Sequence, residues 1–310
     1  MLDRWLFEAL KVTETTAVGC YDWIGKGNNI AADQAAVNAM REALNALPFD
    51  GRIVIGEGER DAAPMLYIGE KVGAGGEVIE VAVDPLEGTN ICARGDYGSM
   101  VVMALSTAGS FLNAPDIYME KIVIGPDYPE EIICVNDGTR ENLTRLAKHK
   151  KCRTDDLVVM ILDRERHKNS IDGARALGAK VFLLADGDIS AAIAAATPGS
   201  GVDMYIGVGG APEGVLAAAA LKCIGGQMKA RLVFKTSEEI KRAKAMGIED
   251  IDKVYNAHGL VKNDAIFSAT GVTDGLLVNG IKKQNSHIIT ETLLMSTLQK
   301  KAFKIKTKSC

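Results

Sequence analysis

Hydrophobic positions along the chain change their period several times, and each change marks an element. Over residues 4–24, Leu6, Ala9, Leu10, Thr13, Ala17 and Cys20 recur at helical spacing. A second helix is predicted over 31–47, with Ala36, Ala39, Met40, Ala43 and Leu47 on its inward face. The loop Gly25-Lys26-Gly27-Asn28-Asn29 separates the two. Runs rich in β-branched residues then predict strands over 52–55, 80–83, 99–106 and 117–124, with a short helix over 64–72. After the charged, apolar-poor stretch Lys148-His149-Lys150-Lys151-Cys152-Arg153 the pattern becomes strand–helix alternation. Strands are predicted over 157–162, 180–184 and 203–208, with helices from Ile189 and through Ala217-Ala218-Ala219-Ala220. Such alternation predicts an α/β class of fold. The charged stretch, itself read as a solvated face, marks a domain boundary between an N-terminal domain, 1–152, and a C-terminal α/β domain, 153–310. The lysine-rich tail from Lys300 is either a last strand or a frayed end.

Composition narrows the class. A chain of 310 residues is long enough for a large core and suggests two lobes. Hydrophobic content of 47% with 25% charged residues is that of a soluble globular protein. A net charge of -4 advertises neither nucleic acid nor an anionic membrane as partner. A phosphorylated substrate would need local basic groups and a metal instead. Six scattered cysteines with no Cys-x-x-Cys indicate neither a zinc knuckle nor a disulfide framework. The start, Met1-Leu2-Asp3-Arg4-Trp5, does not read as a secretory leader, and no apolar run is long enough to span a bilayer. A reducing cytoplasm is the expected location.

The chemistry is organised around Val81-Ala82-Val83-Asp84-Pro85-Leu86-Glu87-Gly88-Thr89-Asn90. Asp84-Pro85 is expected to end the strand, because proline lacks an N–H and restricts the residue before it. Asp84 and Glu87 can converge on one point, where two negative charges repel unless a cation or proton lies between them. Hard oxygen ligands of this kind suit Mg²⁺ or Mn²⁺. Gly88 lets backbone approach a ligand, following amides can hold an anion if a helix begins there, and Thr89 adds a hydroxyl. Taken alone, the same letters describe an ordinary surface turn.

Other polar residues have comparable double readings. Asp33 is either a ligand or an acid placed in the first turn of a helix. Glu57 and Glu59, flanked by glycines at a strand end, lie on one side of extended backbone or belong to a solvated loop. Glu213, after Gly209-Gly210-Ala211-Pro212, sits at a helix start and is otherwise a first-turn acid. Arg164, Arg166, Asp186, Asp188 and Glu213 occupy strand carboxyl ends, where open α/β sheets carry ligands. No P-loop, dinucleotide fingerprint or Gly-x-Ser-x-Gly elbow is present, and His149, His167, His258 and His287 have no zinc spacing. Acids and a metal must carry any reaction.

Four segments resemble the bacterial class II, GlpX-type fructose-1,6-bisphosphatases: Ala31-Ala32-Asp33, Ile55-Gly56-Glu57-Gly58-Glu59, Asp84-Pro85-Leu86-Glu87-Gly88-Thr89 and Gly209-Gly210-Ala211-Pro212-Glu213-Gly214. Further segments match the same family: Ala63-Pro64-Met65-Leu66-Tyr67-Ile68-Gly69-Glu70, Asn113-Ala114-Pro115-Asp116-Ile117-Tyr118-Met119-Glu120-Lys121 and Ile266-Phe267-Ser268-Ala269-Thr270-Gly271. The match keeps one register over residues 5–294. More distantly, it resembles the lithium-sensitive phosphatases.

The resemblance implies a layered α/β/α/β/α sugar-phosphatase fold and a homo-oligomer, dimer or tetramer. It implies Mg²⁺ or Mn²⁺ held by Asp33, Glu57, Asp84, Glu87 and Glu213, with the Leu86 carbonyl assisting. Thr89, with Glu59 and Asp61, would position or deprotonate the attacking water. Amides of Gly88, Thr89 and Asn90 would cradle the scissile phosphate. Tyr118, Arg164 and Arg166 would hold the distal phosphate of a phosphorylated sugar, and Asp186 and Asp188 its hydroxyls. The implied reaction is hydrolysis of fructose 1,6-bisphosphate in gluconeogenesis. Alternatives are a dual enzyme that also takes sedoheptulose 1,7-bisphosphate, and a catalytically reduced sugar-phosphate-binding protein. The last is motivated by Asn29, which replaces a lysine frequent in the family, with Lys26 nearby.

Overall fold

The computed structural model describes residues 2–58 and 64–309. Backbone contacts divide the chain into two units, Met1–Leu112 with Val261–Cys310, and Asn113–Leu260. The boundary expected at 152/153 therefore falls inside the second unit. Lys148 to Lys151 are exposed because they end a surface helix and its cap, not because a linker passes there.

The first unit opens with α1 (Leu6–Cys20) and α2 (Asn29–Asn45). It continues through β1 (Phe49–Ile55), β2 (Lys71–Val72), β3 (Glu77–Glu87), α3 (Thr89–Arg94) and β4 (Met100–Thr107). Residues 64–72 are not helical. Lys71–Val72 pair antiparallel with Arg52 and Gly51 instead, and Gly69, Gly73, Gly75 and Gly76 around them adopt positive φ. Helix α2 begins two residues earlier than expected, with the Asn28 side chain accepting from the Ala31 amide at 3.0 Å. Asp33 accordingly sits in the second turn.

The second unit comprises β5 (Tyr118–Ile124), α4 (Thr139–Lys150), β6 (Val158–Leu162), α5 (Lys168–Ala176), β7 (Lys180–Leu184) and α6 (Asp188–Ala196). It goes on through β8 (Met204–Gly210), α7 (Ala211–Ile224), β9 (Gln227–Val233), α8 (Ser237–Ala245), β10 (Val254–Tyr255) and α9 (Ala257–Leu260). The chain then returns to the first unit with β11 (Ala265–Gly271), β12 (Lys282–Gln284), β13 (His287–Ser296) and β14 (Lys301–Ser309). The lysine-rich tail is thus a full strand, paired with β13 from Ile288↔Ser309 to Ser296↔Lys301.

Among the described residues, the first unit holds an eight-stranded sheet in the order β12-β13-β11-β4-β3-β1-β2, with β14 joined to β13. Its helix-facing side is read from alternation. Ile79, Val81 and Val83 of β3 and Val101, Met103 and Leu105 of β4 share one core with Ala9, Val12 and Ala17 of α1 and Ala36, Met40 and Leu44 of α2. The second unit holds a six-stranded sheet, β10-β9-β5-β8-β6-β7. One of its faces carries Ile122, Ile124, Val159, Ile161, Met204 and Ile206, packed with Leu143 and Leu146 of α4 and Ile171 of α5. The alternate residues Met119, Lys121 and Tyr205 therefore point to the opposite face, where α6 and α7 lie. The fold is mixed α/β, as the alternation of patterns predicts. No described helix is long and apolar enough to cross a membrane.

Candidate active site

In the first unit the organising stretch lies where β3 meets α3. Proline does not end the strand. β3 runs on to Glu87 with a bulge, since Asp84 pairs with Val102 but Glu87 pairs with Met100. Two residues of β3, Pro85 and Leu86, thus stand opposite one of β4, Val101, the extra one bending the ladder and re-aiming the side chains around it. Pro85 is tolerated because the bulge relaxes the pairing its missing N–H would break. The Leu86 amide donates to Asp84 Oδ1 at 3.1 Å, and Ser99 Oγ donates to the Glu87 carbonyl at 3.1 Å, so both ends of the bulge are pinned.

The bulge brings carboxylate oxygens of Asp84 and Glu87 within 4.8 Å of each other, with Glu87 only 4% exposed. Two carboxylates so close, Glu87 buried and Asp84 half-buried, favour a cation between them. The donor set is all oxygen, and this fits a hard divalent ion better than zinc or copper. Gly88 follows at φ 76°, a left-handed conformation that L side chains rarely adopt, and turns the chain into α3. Thr89 is the first residue of that short helix and Asn90 the second.

Asp33 and Glu57 belong to segments of the same unit that pack beside this stretch, though neither carboxylate joins the close pair of Asp84 and Glu87. Helix α2 packs on β3 and α3. The loop before it is stapled to α3 by the Gly25 and Gly27 amides, which donate to the carbonyls of Cys92 and Ala93 at 2.9 and 2.7 Å. Burial pushes the Asp33 carboxyl above its usual range, so its charged form gains from any cation placed beside it. Burial likewise raises the Cys92 thiol to about 11 and the Cys20 thiol further, which makes both inert as nucleophiles. Glu57 follows β1, whose Ile55 pairs with Ala82 of β3. Its amide donates to the Leu66 carbonyl at 3.1 Å. Gly56 is required there because a Cβ would lie 2.0 Å from that same carbonyl oxygen. Glu59 and Asp61 lie outside the described residues.

In the second unit, β6, β7 and β8 run parallel, and the expected residues gather at their carboxyl ends. Tyr118 begins β5 opposite Gly210, the last residue of β8. The Arg166 guanidinium lies 4.8 Å from the Tyr118 ring centroid, and Arg166 Nε donates to the Val208 carbonyl at 2.9 Å. Arg164, half-buried, donates to the Asp163 carbonyl at 2.9 Å. Lys235, which the sequence reading did not single out, places its ammonium 3.8 Å from the same ring. Its signal is faint: an isolated lysine just past the end of β9, beside a strand whose partner begins at Tyr118.

Asp186 and Asp188 part company. Asp186 is exposed and accepts from the Gly187 amide at 3.0 Å. Asp188 begins α6, is 7% exposed, and pairs with the buried ammonium of Lys121. Glu213 stands in the first turn of α7, after Gly210 as N-cap and Pro212 near the helix start. His167 is structural: its Nδ1 donates to the Leu162 carbonyl and its Nε2 accepts from the Val208 amide, each at 2.8 Å. That pattern requires the neutral ring, and burial holds its pKa below the usual value.

Comparison with known proteins follows the same lines. The family described as bacterial fructose-1,6-bisphosphatase, glpX-encoded, matches residues 3–309. The chain is 44% identical over 310 residues to D-fructose 1,6-bisphosphatase class 2/sedoheptulose 1,7-bisphosphatase of Prochlorococcus marinus (strain MIT 9312), covering 95% of this chain and 93% of that protein. It is 43% identical over 324 residues to the protein of the same name from Synechococcus sp. (strain JA-3-3Ab), covering 94% and 91%. Among solved structures, an inositol monophosphatase from Anabaena (Nostoc) sp. PCC 7120 matches with a TM-score of 0.33 and 11% identity, over 63% of this chain and 72% of that one. A likeness of that size says nothing about chemistry.

Proposed function

The chain belongs to the glpX-encoded family of bacterial fructose-1,6-bisphosphatases, and from that premise we propose that it hydrolyses the 1-phosphate of fructose 1,6-bisphosphate. The products are fructose 6-phosphate and inorganic phosphate, as gluconeogenesis requires, and the enzyme is a phosphoric monoester hydrolase. The observation that carries the reading is the bulge of β3, which sets Asp84 and Glu87 within 4.8 Å of each other directly before the left-handed Gly88.

In this reading Asp33, Glu57, Asp84, Glu87 and Glu213 hold Mg²⁺ or Mn²⁺, with the Leu86 carbonyl assisting. Such an ion supplies Lewis acidity toward water and toward phosphate oxygens. The chain's own groups do the rest. Amides of Gly88, Thr89 and Asn90 receive the scissile phosphate, and the Thr89 hydroxyl positions the attacking water and passes its proton toward Glu59 or Asp61. Positioning and charge stabilisation are most of what phosphoryl transfer needs. Tyr118, Arg164 and Arg166 grip the distal phosphate, where a planar guanidinium can bind two oxygens at once. Asp186 and Asp188 meet the sugar hydroxyls. We place the enzyme in the cytoplasm as a homo-oligomer, to be checked by light scattering of the purified protein.

A second reading is favoured by the names of the relatives, each called a sedoheptulose 1,7-bisphosphatase as well. That substrate has the same phosphorylated ketose end and a longer chain. The test is phosphate release by chelator-stripped protein, with Mn²⁺ or Mg²⁺ restored, on both bisphosphates and on fructose 6-phosphate. Both readings expect metal-dependent release from fructose 1,6-bisphosphate and none from fructose 6-phosphate, and release from sedoheptulose 1,7-bisphosphate as well selects the dual enzyme. Zero turnover with retained sugar-phosphate binding would instead support the reduced protein that Asn29 suggests.

A further inference from the structure

Lys121 has no part in the reaction as described, yet it is the most deeply buried cation among the described residues, at 1% exposure. It sits in the middle of β5, on the face of the sheet that α6 and α7 cover. Its ammonium pairs with Asp188 Oδ2 and donates to the Gly210 carbonyl at 2.9 Å. The Tyr205 hydroxyl donates to the same Asp188 oxygen at 3.3 Å, so Oδ1 accepts from neither group. One buried charge thereby joins the first residue of α6 to the last residue of β8, three positions before Glu213.

Glycines of β8 and α7 are cut to fit this cluster. A Cβ on Gly207 would lie 2.9 Å from the Tyr205 hydroxyl. On Gly209 it would lie 2.2 Å from Asp188 Oδ2 and 3.1 Å from Lys121 Nζ, and on Gly210 it would lie 1.8 Å from Glu213 Oε2. On Gly214 it would meet Met119 Sδ at 2.4 Å and Lys121 Cδ at 3.4 Å. None of the four has positive φ, so glycine is present to clear space and not to permit the turn. The glycine-rich run makes room for a lysine, a tyrosine and two carboxylates.

Stability alone is a poor account of such a cluster. A buried ion pair is often matched or bettered by apolar residues of the same volume, whereas removing one partner is costly. What the pair does supply is a fixed geometry for its neighbours. We propose that Lys121 is a positioning residue: its ammonium locks Asp188 and the Gly210 carbonyl in place, and so holds the turn between β8 and α7 that presents Glu213. The inference rests on Glu213 being a metal ligand, as argued above.

Lys121→Met tests it, with Lys121→Met/Asp188→Asn as the variant that leaves no unpaired buried charge should the single change fail to fold. Mn²⁺ binding is read by electron paramagnetic resonance titration, apart from turnover, on protein whose fold is checked by circular dichroism. Outer-shell partners of metal ligands typically matter about tenfold or more in affinity or rate. The folded variant is expected to bind Mn²⁺ about tenfold more weakly and to turn over more slowly, with Lys121→Arg recovering part of both. Glu213→Gln is run beside it. If Glu213→Gln weakens Mn²⁺ binding while a folded Lys121 variant stays within about twofold of the parent in affinity and kcat, the positioning role is wrong and the site stands. If Glu213→Gln itself leaves Mn²⁺ binding unchanged, the site assignment has failed first.

Discussion

Gly210→Ala separates the geometry of Glu213 from the stability of the fold. Gly210 has φ -66° and ψ 147°, ordinary extended backbone, so alanine can replace it without strain. At such a position the change itself should stabilise the chain by about 0.4–1 kcal/mol through the unfolded state. The new methyl would lie 1.8 Å from Glu213 Oε2, and the nearest atoms it meets all belong to the Glu213 carboxylate. That carboxylate must therefore retreat by about 1.6 Å to reach an ordinary 3.4 Å contact. A misplacement of about 1 Å in a reacting constellation can cost about 10²-fold, equivalent to about 2.7 kcal/mol of barrier. The expected result is kcat/KM lowered about 10²-fold, Mn²⁺ half-saturation raised, and a melting temperature equal to or above that of the parent. Phosphate release and thermal unfolding on one preparation decide it. Parent-like kcat/KM at unchanged melting temperature would refute the argument that Glu213 works from this place.

Gly56→Ala should do the reverse. Its Cβ would lie 2.0 Å from the Leu66 carbonyl oxygen and 2.7 Å from Ile53 Cγ2, backbone and core that cannot step aside. A loss of about 1–3 kcal/mol is expected in denaturant melts, and parent-like stability would count against that packing. Arg166→Ala should raise KM for a bisphosphate far more than for a substrate lacking the distal phosphate, whereas an equal loss on both would remove Arg166 from the distal-phosphate role. His167 should make stability depend on pH. Its folded pKa lies below the unfolded value of about 6.5, so its contribution is complete above that value and is lost as pH falls through the folded one. Protonation also ends its acceptance from the Val208 amide. Melting temperatures at pH 8, 6.5 and 5.5 should fall more steeply for the parent than for His167→Gln, and parallel curves would contradict this.

Much of the fold is legible in the pattern of residues because it is local. Helices α1 and α2 and strands β5 to β8 follow from 3.6- and 2-residue periods, and their ends shift by only a few residues. The units are not legible, because β11 returns to pair with β4 across about 160 residues, Ala265 opposite Ser106. A charged run such as 148–153 looks the same at the end of a surface helix as in a linker. Residues 64–72 misled for a different reason: Met65, Leu66 and Ile68 suit a helix turn, but the glycines at 69 and 73 favour a turn into β2. At the site, the letters of Asp84 to Asn90 announced acids, turn and hydroxyl, while the bulge that aims them depends on the partner strand β4. Lys121 lies within a segment that resembles the family, and the sequence alone assigns it no role. Its signal was a lysine alternating with Met119 and Val123 on an otherwise apolar face, which gains meaning only when Asp188 is known to lie above it.

The central claim is that acids distant in the chain share divalent ions in front of Gly88. Anomalous diffraction at the manganese edge, from crystals of the protein grown with Mn²⁺, tests it most directly. The account predicts a peak about 2.0–2.3 Å from carboxylate oxygens of Asp84, Glu87 and Glu213, with Asp33 and Glu57 around it or around a neighbouring ion. Manganese bound elsewhere, or a density map without manganese at these residues, would contradict it.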